Sequence, residues 1–275
     1  MVSTRRAAVL GKPIAHSLSP VIHTAGYVAA GLTGWSYTRI ECAAAELPDL
    51  VAGLGPEWAG LSVTMPGKEA ALAVADAASP VAAAVGAANT LVRRPGGSWY
   101  ADNTDVAGMV RVLTDAGVTA GAAVTVLGAG GTARAALAAA AQLACPSVTV
   151  VARRPEAVDE LRPVADALGV ALTPVDWADA PRPVAAADVV VSTVPKGVAD
   201  PLAGAVVWRP GAVFFDALYD PWPTPLAASA VTAGLRVVSG LDLLLAQAVG
   251  QFEQFTGVTA PRAAMAAALT AARAA

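Results

Sequence analysis

The chain has 275 residues, enough for one large domain or two ordinary ones that each bury a core. Apolar residues make up 56% and charged residues 14%, which excludes a disordered chain, and a net charge of -3 offers no electrostatic footprint for nucleic acid or an anionic membrane. Two domains acting on a small molecule are the expectation.

The first residues, MVSTRRAAVLGKP, begin basic, but Gly11, Lys12 and Pro13 cut the apolar run short, so they read as neither a secretion signal nor a membrane span. Strands are expected at AAVLG (7–11), WSYTRIEC (35–42), GLSVTM (60–65) and NTLVRR (89–94). Helical stretches lie between them at VIHTAGYVAAGL (21–32), AELPDLVAGL (45–54) and KEAALAVADAA (68–78). After Asp105 a helix, AGMVRVLTDAG (107–117), leads into a more regular strand series: AVTVLGAG, SVTVVAR, ADVVVSTV, AVFFDALY and LRVVS. VTVVA is almost wholly β-branched and apolar, as expected where helices cover both faces of a parallel sheet. Two last helices, LDLLLAQAVGQFEQFTG and PRAAMAAALTAARAA, are separated at Gly257 and Pro261. The alternation predicts an α/β fold with a boundary near residue 105: an N-terminal substrate-binding domain over 1–105, joined by returning helices at 240–275, and a doubly wound Rossmann-like domain over 106–239. A site is expected in a cleft between them.

VTVLGAGGTARAAL sets Gly128, Gly130 and Ala133 in a G-x-G-x-x-A register between a strand and a helix. Glycines there allow a tight turn and close approach to a pyrophosphate, whose charge meets the helix N-terminus; a plain glycine-rich turn is the alternative. The following strand ends in Ala152, Arg153 and Arg154, where a reader of the NAD ribose would carry Asp or Glu. Two guanidiniums suit a 2′-phosphate, so NADP(H) is favoured, although one of the pair can equally be a solvated surface arginine.

In SVTMPGK, Pro66 suits a first helical turn and brings Lys68 into the same turn, where the positive pole of the macrodipole favours a neutral amine. A cation in that place needs a reason. Ser17 and Ser19 in GKPIAHSLSP could receive a carboxylate, and alone would read as a cap and a turn. GAANT (86–90) and ADNTD (101–105) are polar knots in an alanine-rich chain, with Asn89 and Asp105 each beside a threonine.

In order and spacing, GKPIAHSLSP, SVTMPGK, GAANT, NTD, GAGGTARA, STVP, DALYDP and GLDLLLAQA together resemble the shikimate dehydrogenase family from residue 11 to about residue 248. The resemblance implies reversible NADPH-dependent reduction of 3-dehydroshikimate to shikimate, on the route to aromatic amino acids. It implies that Lys68 and Asp105 are the catalytic pair, that Ser17 and Ser19 hold the substrate carboxylate, that Thr64, Asn89, Asp105 and Gln247 hold ring hydroxyls, and that Tyr219 closes over the substrate. It also implies a cofactor site from Gly128, Ala129, Gly130, Gly131, Thr132 and Ala133, then Ala152, Arg153 and Arg154, then Thr193, Val194 and Pro195, with Leu218, Gly240 and Leu243. A lysine so placed can give a proton to the oxygen of a carbonyl that receives hydride, and take it back in reverse.

Three departures from the family pattern stand out. ARR replaces N-R-T after the second cofactor-domain strand, so Ala152 offers no amide to the adenosine; Leu243 replaces a frequent methionine; and Asp242 replaces a residue that is often small. Two other readings remain open: a quinate/shikimate dehydrogenase of wider substrate or cofactor range, and a non-catalytic nucleotide-binding regulator. Against the latter, a pure binder has no use for a proton donor. His16 and His23 have no metal-ligand company, and no metal is expected. Cys42 and Cys145 lie far apart without zinc or disulfide spacing, which suits a reducing cytoplasm. A homodimer is the candidate assembly, although the sequence does not set the oligomeric state.

Overall fold

The computed structural model describes residues 4–274. They form two compact units, one from residues 4–104 with 244–274 and the other from residues 105–243.

The first unit is built on a mixed six-stranded sheet. Its strands are β1 (Arg5–Gly11), β2 (Trp35–Glu41), β3 (Trp58–Val63), β4 (Ala77–Ala78), β5 (Thr90–Arg93) and β6 (Trp99–Asp102), in the order β2-β1-β3-β5-β6-β4. β1 pairs in parallel with β2 and β3, whereas β5 runs antiparallel to both β3 and β6. The helices are α1 (Ser19–Ala29), α2 (Leu47–Ala52), α3 (Lys68–Val74) and α4 (Pro80–Val85), and α5 (Thr104–Asp115) runs on into the second unit.

Every residue of β3 is buried, because helices cover both of its faces. Leu10 and Leu61 pack on one side with Leu47 and Val51 of α2, Ala71 of α3 and Ala82 of α4. On the other side a Cβ at Gly60 would lie 2.1 Å from the ring of Phe255, so glycine there lets a helix ring settle on the sheet.

The second unit holds a wholly parallel sheet of β7 (Val124–Leu127), β8 (Ser147–Ala152), β9 (Ala171–Asp176), β10 (Val189–Ser192), β11 (Val213–Asp216) and β12 (Arg236–Ser239). Their order, β9-β8-β7-β10-β11-β12, reverses direction between β7 and β10, the switch point at which doubly wound sheets bind nucleotides. The helices are α6 (Gly131–Gln142), α7 (Pro155–Asp159), α8 (Arg162–Leu168), α9 (Pro181–Ala186) and α10 (Pro225–Thr232). Leu127, Val190, Phe214 and Leu226 lie in its core. α11 (Gly240–Thr256) returns the chain to the first unit, where α12 (Arg262–Ala274) packs on α1.

Several elements differ from the sequence expectation, which named no segment for β4, α4 or β6. Pro66 stands before the N-cap Gly67 and so lies outside the first turn, and α3 closes at Val74 because Ala77 and Ala78 pair with β6. Strand β9 was not expected. Its pattern is mostly exposed, as an edge strand permits, so the apolar signal was weak.

Candidate functional site

In the first unit, strand direction gathers the polar motifs. β1 and β3 are parallel neighbours, so the loops after Gly11 and Val63 leave the sheet on one edge. Ser62 faces Thr90 in the antiparallel register, and Thr90 faces Asp102, so Asn89 before β5 and Asn103 after β6 reach that same edge. Ser17, Ser19, Thr64, Lys68 and Asn89 all lie on or just beyond it. Asp105 follows Thr104 as the second residue of α5.

Hydrogen bonds tie these segments together. The N–H of Ala88 donates to the carbonyl of Lys68 at 2.9 Å, and the N–H of Val63 donates to the carbonyl of Asn89 at 2.7 Å. The side-chain Oδ1 of Asn89 accepts from the N–H of Thr104 at 2.8 Å. The Ala88–Asn89 segment thereby holds the backbone of Lys68 through Ala88, and the backbone next to Thr64 and next to Asp105 through Asn89. Its Nδ2 faces Oε1 of Gln247 at 3.5 Å, and Gln247 donates through Nε2 to the carbonyl of Leu244 at 2.8 Å.

Lys68 is the first residue of α3, and it is half-buried; Glu69 in the same turn offsets part of the dipole repulsion. Ser19 is buried at the start of α1, and its N–H donates to Oγ of Ser17 at 3.3 Å. Arg39 donates through Nε to the carbonyl of Ser17 at 2.9 Å, with Nη2 on the same oxygen. That arginine, which the sequence reading passed over, fixes the serine loop and brings a positive charge beside it.

In the second unit the glycine turn follows β7. Gly128 has φ +102, and a Cβ there would stand 2.7 Å from Oγ1 of Thr193, whose hydroxyl donates to the carbonyl of Leu127 at 2.9 Å. Gly128, Thr193 and the buried Val194 are therefore packed together across the switch point, with Pro195 exposed beyond them. Gly130 caps α6, and a Cβ on Gly130 or Gly131 would meet nothing within 4 Å, which leaves the helix N-terminus open for a phosphate. Ala129 and Thr132 are half-buried on either side of those glycines, and Ala133 is fully buried against the sheet. Ala152 ends β8 and is buried, while Arg153 and Arg154 are exposed just beyond it. These residues fit a pyrophosphate and a 2′-phosphate.

The turn after β11 is held by Asp216. Its carboxylate accepts from the hydroxyl of Thr224 at 2.7 Å and from the N–H of Leu218 at 3.1 Å. Burial pushes the Asp216 carboxyl up from its ordinary pKa, and the bonds from Thr224 and Leu218 oppose that rise. Burial likewise raises the Tyr219 phenol, with Asp220 adding to it. Gly240 donates to the carbonyl of Leu218 at 3.1 Å, and a Cβ there would sit 2.1 Å from the carbonyl oxygen of Ala217. Leu218, Tyr219 and Gly240 are thus one packed unit. Leu243 is buried one turn on, and Asp242 is exposed in the first turn of α11, accepting from both the N–H and the hydroxyl of Ser239, the residue before that helix.

Sequence reasoning missed Tyr37, Ser62, Thr90, Thr104 and Gln251, which form a buried network behind Asn89. The available signal was Gln251 at i+4 from Gln247 on an otherwise apolar helix face. Among the described residues, no group of three or more His, Cys, Asp or Glu side chains could hold a metal ion, and no helix is long and apolar enough to cross a membrane.

Residues 9–91 match the model of the shikimate dehydrogenase substrate binding domain, and residues 240–270 match that of the shikimate 5′-dehydrogenase C-terminal domain. Over 265 residues the chain is 40% identical to shikimate dehydrogenase (NADP(+)) of Methylobacterium radiotolerans, with 93% of each chain covered. The crystal structure of Mycobacterium tuberculosis shikimate dehydrogenase matches with a TM-score of 0.90 at 52% identity, covering 97% of this chain and 99% of that one. That of shikimate 5-dehydrogenase from Thermus thermophilus in complex with NADP(H) and shikimate matches with a TM-score of 0.85 at 30% identity, covering 98% and 100%. With motifs, fold and near full-length identity in agreement, the chain belongs to the shikimate dehydrogenase family.

Proposed function

We propose that the chain catalyses the reversible NADPH-dependent reduction of 3-dehydroshikimate to shikimate, on the route to chorismate and the aromatic amino acids. The observation that supports this most directly is the bonding of Ala88 and Asn89, which together join the segments bearing Thr64, Lys68 and Asp105 at one sheet edge.

In this reading Ser17 and Ser19 hold the substrate carboxylate, assisted by the field of Arg39. Thr64, Asn89, Asp105 and Gln247 fix the ring hydroxyls, and Tyr219 covers the ring. Gly128 to Ala133 receive the pyrophosphate, Arg153 and Arg154 the 2′-phosphate, with Thr193, Val194, Pro195, Leu218, Gly240 and Leu243 beside the rest of the cofactor. Bound NADPH supplies the hydride. Lys68 gives a proton to the carbonyl oxygen as charge develops on it, and takes it from the hydroxyl in the reverse direction. Asp105 orients the amine toward that oxygen.

The cytoplasm is the proposed compartment. Cys42 and Cys145 are both buried and unpaired, and burial raises both thiols above their ordinary pKa, so neither is activated for exchange.

The test follows NADPH absorbance with purified protein, comparing shikimate with quinate and NADP+ with NAD+. The shikimate and NADP+ pair should give the highest kcat/KM. Equal efficiency with quinate or NAD+ would support the broader enzyme, and tight binding without turnover would support a regulator.

A further inference from the structure

The three amides near the substrate-binding edge have their orientations set by backbone groups that can act in only one sense. The Thr104 N–H can only donate, so the Asn89 atom 2.8 Å from it is the oxygen. The carbonyl of Asn89 can only accept, so the Gln251 atom 3.1 Å from it is the nitrogen, and Oε1 of Gln251 must face Ser62. The carbonyl of Leu244 fixes Nε2 of Gln247 in the same way, which turns Oε1 of Gln247 toward Asn89.

Hydroxyl protons between these amides then have one consistent direction. Tyr37 donates to Ser62 at 2.6 Å, and Ser62 donates to Oε1 of Gln251 at 2.6 Å. Nε2 of Gln251 donates to Oγ1 of Thr90 at 3.1 Å, and the Thr90 proton goes to Oδ1 of Asn89 at 2.8 Å, a nearer and stronger acceptor than the Thr104 hydroxyl at 3.2 Å. The Thr104 hydroxyl lies 3.1 Å from the same oxygen. Donors therefore converge on Oδ1 and leave Nδ2 as the side-chain group of Asn89 available to a ligand. Among the described residues its partner is Gln247, at a long 3.5 Å. All members are buried, with Thr90 fully so and Gln251 at 1% exposure, so water cannot substitute for a missing donor.

We infer that Thr90, Thr104 and Gln251, backed by Ser62 and Tyr37, are positioning residues that hold Asn89 as an obligate hydrogen-bond donor to one oxygen of the substrate. The inference rests on the reading of Asn89 as a substrate-binding residue. It adds a rule of specificity: the substrate oxygen at Asn89 must accept, so a hydroxyl there turns its proton to another group.

The test uses the full-length enzyme with Thr90→Val, Thr90→Cys and Thr90→Ser, each in the natural background and with Asn89→Ala. Thr90→Val keeps the shape and leaves Gln251 bonded to the Asn89 carbonyl. It should lower kcat/KM for shikimate about five- to tenfold, through KM, with KM for NADP+ unchanged; one net hydrogen bond is worth that much. Thr90→Ser should stay within about twofold and Thr90→Cys should fall between, which keeps the series informative if one member folds poorly. With Asn89→Ala present, Thr90→Val should cost less than about twofold more. Equal losses in both backgrounds, or no loss in either, would overturn the positioning role. Natural kcat/KM in Asn89→Ala alone would instead overturn the reading of Asn89 on which the role rests.

Discussion

Lys68 sits where a helix repels it, and magnitudes show why the position is tolerable. A cation in a first turn costs about 0.3–1 kcal/mol, whereas an acid/base group supplies about 10²- to 10⁴-fold in rate, or about 3–5 kcal/mol of barrier. Charge-assisted bonds to a 2′-phosphate contribute roughly 1.5–3 kcal/mol, so Arg153→Ala should weaken NADP+ roughly ten- to hundredfold while NAD+ changes little. Unchanged discrimination in titrations of both nucleotides would exclude Arg153 as the phosphate reader. His23 gives a pH prediction. It is fully buried, stacked on Tyr37 at 4.1 Å, and neither ring nitrogen has a hydrogen-bond partner among the described residues. Burial, opposed only in part by the nearby Gln251, pushes its pKa down from 6.5 to about 3. Below pH 6.5 the unfolded chain binds a proton that the folded chain refuses until about pH 3. The contribution of His23 to stability is therefore complete above 6.5 and falls by about 1 kcal/mol per pH unit through that window. Denaturant titrations from about pH 7 to about pH 4 should show this slope, and His23→Phe should remove it.

At the level of single elements, the two glycines of the nucleotide turn are separable. Gly128 combines φ +102 with a Cβ position that collides with Thr193, so Gly128→Ala should cost about 1–3 kcal/mol of stability and also weaken NADP+. Gly130 has φ -93 and open space around its Cβ, so Gly130→Ala should leave Tm nearly unchanged and weaken NADP+ by filling the room for phosphate. Thermal unfolding with and without NADP+ distinguishes them, and equal loss of Tm in both would contradict the assignment. These elements were largely legible in the sequence. G-x-G-x-x-A between strand and helix encodes both a turn and its ligand, and the mostly apolar, β-branched runs of β7, β8, β10 and β11 mark a sheet buried on both faces. The edge strand β9 was not legible because its burial is irregular, and the end of α3 was not because Ala75 to Ala78 carry no helix stop in their own chemistry. The network behind Asn89 joins residues up to 189 positions apart, so no local pattern could announce it.

Across the whole molecule the chain is divided into two units, each with its own sheet and core. The α/β architecture was anticipated from the alternation of strand and helix segments and family membership from motif order, because each motif sits at a strand end where the fold needs a special residue. The division has a consequence that can be measured. If the first unit binds shikimate and moves the proton while the second binds the nucleotide, then removing the proton donor should stop turnover without releasing either ligand. The measurement is Lys68→Ala, with kcat from NADPH absorbance and equilibrium binding of shikimate and of NADP+ on the same preparation. The account predicts a fall in kcat of about 10²- to 10⁴-fold, shikimate affinity within about tenfold, and NADP+ affinity unchanged. A loss of shikimate binding as large as the loss of turnover, or a kcat near the natural value, would contradict it.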